Sequence, residues 1–65
     1  MVIATANKDV ADFWERWLKN HSLNYTRRNE YSGWITYTFV VEATPEIKQL
    51  IAERSDKINR NGLTP

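Results

Sequence analysis

One imidazole, eight side-chain carboxylates, nine basic side chains and three tyrosines are the ionisable side chains of this chain, and it contains no cysteine. His21 is the sole candidate for acid–base chemistry near neutral pH. No cysteine nucleophile accompanies it, and none of Ser22, Ser32 or Ser55 lies in a nucleophile motif. Gly33 and Gly62 are the only glycines, so no glycine-rich phosphate loop exists. At the end of a helix, His21 has a simpler task, interaction with the last carbonyls and the dipole. Asp9, Asp12 and Glu15 recur at three-residue spacing. That spacing suits a cation, but better a solvated helix face whose acids complement the N-terminal dipole. One histidine without cysteine does not make a zinc site. The expectation is a non-enzymatic chain with no catalytic residue, no metal and no cofactor.

A second kind of chemistry is recognition of nucleic acid. Tyr25, Arg27, Arg28, Tyr31 and Trp34 interleave basic and aromatic side chains, the pattern of a base-stacking platform with phosphate contacts. Arg54, Lys57 and Arg60, with Asn59 and Asn61, form a second basic cluster. A net charge of only +1 opposes this reading, because a dedicated binder carries a clearer basic excess.

These residues are placed by a short series of elements. Met1–Ala6, with Val2, Ile3 and Thr5, has the β-propensity of an edge strand. Lys8 to Asn20 reads as a helix capped by Asn7. Val10, Phe13, Trp14, Trp17 and Leu18 lie on one arc and Asp9, Asp12, Glu15, Arg16 and Lys19 on the other. Leu23–Arg28 and Trp34–Ala43 read as strands around a turn at Asn29–Gly33. Period two sends Ile35, Tyr37, Phe39 and Val41 to the core and leaves Trp34, Thr36, Thr38 and Val40 outside. The same alternation puts Tyr25 on the core side, leaving Trp34 as the open-face aromatic. Thr44-Pro45-Glu46 starts a second helix with stripe Ile47, Leu50, Ile51 and Ile58, closed by Gly62.

The expected fold class is α+β, order β-α-β-β-α, or α-β-β-α if residues 1–6 are a loose N-terminus and not an edge strand; the first order has the following form. A small antiparallel sheet in strand order 1-3-2 carries two helices on one face, with Trp14, Trp17, Phe39 and Leu50 buried together. This resembles the ferredoxin-like plan without its last strand, a likeness of geometry that implies no activity. Residues 1–62 form one compact domain and residues 63–65 a loose tail.

At 65 residues, without disulfide or metal, the chain is close to the lower size limit for a stable core. Its three Trp, three Tyr and two Phe supply dense packing. Trp34 and Val40 on the uncovered face, an open first-strand edge around Ile3, and Arg54 within the second apolar stripe point to a protein interface. The expectation is a small protein-interaction module, an adapter or inhibitor, that forms a homodimer through the edge or the Trp34 face. The alternative is a nucleic-acid-binding protein using Arg27, Arg28, Tyr31 and Trp34. The N-terminus lacks the basic region of a signal peptide, no stretch is long enough to span a membrane, and the lack of cysteine suits a reducing compartment. A soluble cytoplasmic protein is therefore expected.

Overall fold

The computed structural model describes residues 1–62; the tail expected at 63–65 lies outside them. The elements are β1 (Val2–Thr5), α1 (Lys8–Asn20), β2 (Tyr25–Tyr31), β3 (Ile35–Val41) and α2 (Pro45–Asn61), and the fold is α+β in the order β-α-β-β-α.

Both helices begin where side chains replace missing backbone partners. The Asn7 carboxamide oxygen accepts from the N–H groups of Asp9 (2.8 Å) and Val10 (3.2 Å). Thr44 Oγ1 accepts from Ile47 N–H at 3.3 Å, and Pro45 follows at the first helical position, where its missing N–H costs nothing. Helix α1 ends in a Schellman motif. Leu23 N–H donates to Leu18 O and Ser22 N–H to Lys19 O, with Ser22 at φ 54° in the left-handed position that glycine usually fills. Gly62 ends α2 with a positive φ of 66°, which glycine adopts without strain, and donates to Ile58 O.

The sheet is antiparallel throughout, order β1-β3-β2. The β2–β3 ladder runs to Tyr31 opposite Ile35, two pairs beyond Asn29 opposite Tyr37. The turn expected at Asn29–Gly33 therefore shrinks to Ser32-Gly33-Trp34, closed by Ser32 N–H to Trp34 O at 3.1 Å and turned by Gly33 at φ 85°. The first residues expected in β2, Leu23 and Asn24, precede the strand because Leu23 completes the α1 cap.

The core comprises Ile3, Ala11, Trp14, Leu18, Tyr37, Phe39, Val41 and Ile51, with Phe39, Leu18 and Ala11 fully enclosed. Two expected members differ. Trp17 is half-buried, and Leu50 is 43% exposed. The reason is angular. With 3.6 residues per turn, adjacent residues diverge by roughly 100°. Centring α1 on Ala11, Trp14 and Leu18 turns Phe13 and Trp17 to its flank; centring α2 on Ile51 swings Leu50 aside. Ile35, at the hairpin end of β3, is 38% exposed despite its inward parity, whereas Tyr37, Phe39 and Val41 are buried.

Candidate interaction surface

Period two distributes the singled-out residues between two faces. Val2, Val40 and Thr26 align across the three strands on the uncovered face, followed by Ala4, Thr38 and Arg28. Val2 is 62% exposed and Val40 47%. Ile3, opposite Phe39, has the other parity and is buried in the core. Its contribution to a surface is thus through its place in β1, not through a side chain on the open face.

Trp34 leaves the turn 73% exposed, and Tyr31 at the last pair of β2 is 74% exposed, so two large aromatics stand free at the hairpin end. They are a full strand length from Val2 and Val40. By register Tyr31, paired with Ile35, has the helix-side parity of Tyr25 and Arg27, so Val2 and Val40 are the apolar pair on the uncovered face and the threonines of β3 separate them from the turn that holds Trp34.

Arg27 and Arg28 separate. Arg28 points to the uncovered face beside Thr38. Arg27 turns to the helix side. Its guanidinium lies 3.3 Å from Glu15 and 3.8 Å from Asp12 of α1, above the rings of Tyr37 (5.3 Å) and Phe39 (5.6 Å). One of the two arginines expected to serve phosphates thus joins helix to sheet. The parity that assigned Tyr25 inward also assigns Arg27 inward, and that signal was legible in the sequence. Asp12 is also bound by Lys8, at 2.9 Å. The ammonium hydrogen bond holds the Asp12 carboxyl below the usual carboxylate range, and the same contact raises the Lys8 ammonium above its ordinary value.

His21 stacks on Trp17, with centroids 3.8 Å apart, and its Nδ1 lies 2.8 Å from Trp17 O. A carbonyl only accepts, so Nδ1 carries the proton and the ring caps the helix end. Phe13, Trp14, Trp17 and His21 form successive ring contacts down α1. Half-buried Arg54 lines a shallow groove of about 360 Å³ with Trp17, His21, Leu50, Glu53 and Lys57.

The most distinctive feature is the outer edge of β1. Met1 and Val41 exchange both backbone hydrogen bonds, Met1 N to Val41 O at 3.1 Å and Val41 N to Met1 O at 2.8 Å. In an antiparallel ladder such pairs alternate. Ile3 therefore bonds inward to Phe39, while the N–H and C=O groups of Val2 and Ala4 point away from the sheet. Below this edge a groove of about 320 Å³ opens between β1 and α2, lined by Ile51, Ala52, Ser55 and Ile58 among others. None of its lining side chains is charged. The other edge strand, β2, carries Arg27, Arg28 and Glu30.

Comparison of the chain with protein-family models, curated proteins and solved structures gives no match. Among the described residues, no helix is long and apolar enough to cross a membrane.

Proposed function

We propose that this chain is a non-enzymatic protein-interaction module, an adapter or inhibitor of the cytoplasm, that binds by adding a strand to the outer edge of β1. The observation that carries this reading is the combination of outward-facing Val2 and Ala4 backbone groups with the groove beneath them, whose lining side chains are uncharged. Backbone pairing supplies affinity in such contacts, and pockets for alternate side chains supply selectivity. Charge, proline and bulges are the usual devices that blunt an edge, and β1 contains no charged residue and no proline. Val2 and Val40 extend the same surface onto the open face.

A tagged chain, captured with its partners after nuclease treatment, tests the reading. Partners retained by the parent and lost from Ala4→Pro are expected, since that proline removes an outward donor. Partners retained equally by both forms would refute edge pairing.

A second reading, nucleic-acid binding, is favoured by Tyr31 and Trp34 free at the hairpin end with Arg28 on the open face. It ranks lower because Arg27 is engaged by Glu15 and Asp12. Nuclease-sensitive capture and a gel shift that weakens steeply with salt would raise it above the first.

A further inference from the structure

We infer that the strand added to β1 is β1 of a second copy of this chain, paired antiparallel about a two-fold axis at Ile3. The inference rests on the reading of β1 as a pairing edge and names its occupant.

Register carries the argument. Only Val2 and Ala4 present outward backbone groups along β1. A two-fold pairing must match each outward residue of one copy with an outward residue of the other. Val2 opposite Ala4 is the register that uses both residues of both copies, giving four backbone hydrogen bonds. The Val2–Val2 and Ala4–Ala4 registers leave one outward residue without a partner inside the strand. The productive register sets Ile3 opposite Ile3 in a non-hydrogen-bonded pair, where Cα atoms approach to about 4.5 Å. Those side chains lie on the helix side of the sheet, each held in the core of its own copy, where it lines the groove with Ile51 and Ile58, so the two grooves meet at the axis.

Electrostatics permits the approach. β1 carries no charged side chain, and neither does the groove lining. No like-charged side chains of β1 oppose one another across the axis, whereas the β2 edge is guarded by the charges of Arg27, Arg28 and Glu30. A self-complementary patch needs one surface only, and the product is a continuous six-stranded antiparallel sheet. The single blunting device is the length of β1, four residues. It confines the contact to the small end of the interface range, which makes the dimer reversible.

Sedimentation velocity of the full chain across the micromolar range tests this. The parent should show a concentration-dependent species of twice the 7.7 kDa chain mass. Ala4→Pro removes one donor in each copy and should weaken the dimer by about tenfold or more, since two hydrogen bonds are lost. Trp34→Lys should leave it unchanged. Ile3→Cys provides an independent readout that does not depend on the proline variant folding. The chain has no other thiol, so oxidation should give a disulfide-linked dimer rapidly, whereas Trp34→Cys should not. A monomer at every concentration without Ile3→Cys cross-linking overturns the second-copy inference. The wider edge reading is then decided separately, by whether Ala4→Pro loses the partners captured after nuclease treatment. A dimer lost in Trp34→Lys and kept in Ala4→Pro overturns the edge geometry.

Discussion

Arg27 of β2 and Glu15 of α1 meet at 3.3 Å across the helix–sheet boundary, with the guanidinium above the Tyr37 and Phe39 rings. A basic residue in a hairpin thus acts as a fastener between layers. Arg27→Ala should lower stability by about 1–2 kcal/mol, through lost stem packing and cation–π contact more than through the ion pair. Arg28→Ala, on the open face, should stay within about 0.5 kcal/mol. Urea denaturation of the two variants checks this contrast.

Phe39→Ala should cost about 3–5 kcal/mol, most of the stability of a domain this small. Leu50→Ala should cost under about 1 kcal/mol, because Leu50 is 43% exposed and little area is lost. Equal losses in the two urea midpoints would contradict the packing described here.

Ser22 holds the left-handed cap of α1 at φ 54°, where a Cβ is unfavourable. Ser22→Gly should therefore raise stability by about 0.5–1 kcal/mol, after the added chain entropy of glycine is deducted. Thermal melts followed by circular dichroism at 222 nm measure this shift.

The Lys8–Asp12 pair gives a small pH signature. The Lys8 hydrogen bond lowers the Asp12 carboxyl in the folded state, so its contribution is present above the unfolded value of about 3.9 and is lost as pH falls through the lowered folded value. Lys8 is raised, so its contribution is present below its ordinary value and lost as pH rises through the higher folded one. The difference in urea midpoint between parent and Lys8→Met should be steady at neutral pH and vanish in acid. A difference that persists at pH 2 would assign the effect of Lys8 to something other than this pair. Both groups are exposed, so the effect should be small and should weaken with salt.

The topology was legible in the sequence because period two in Ile35–Val41 and the caps Asn7, Thr44 and Gly62 are local signals. The 1-3-2 strand order followed from the chain path. What stayed hidden depends on orientation. Ala11 is fully buried, yet the aromatic arc drew attention to Phe13 and Trp17, which flank the centre of α1. Leu50 follows the same rule on α2. The candidate surface was legible as an edge, but its donors were not. Which backbone groups face outward is set by the Met1–Val41 pair, a contact between distant parts of the chain. It places Val2 and Ala4 at the edge and turns Ile3 inward.

Amide hydrogen exchange at Val2 and Ala4 tests the central claim most directly. The account predicts fast exchange at both in the dilute chain. Protection should appear at both together at high concentration, or on addition of a partner captured after nuclease treatment, with Phe39 protected throughout. If Val2 and Ala4 exchange equally fast under all three conditions, β1 is not a binding edge and the account is contradicted.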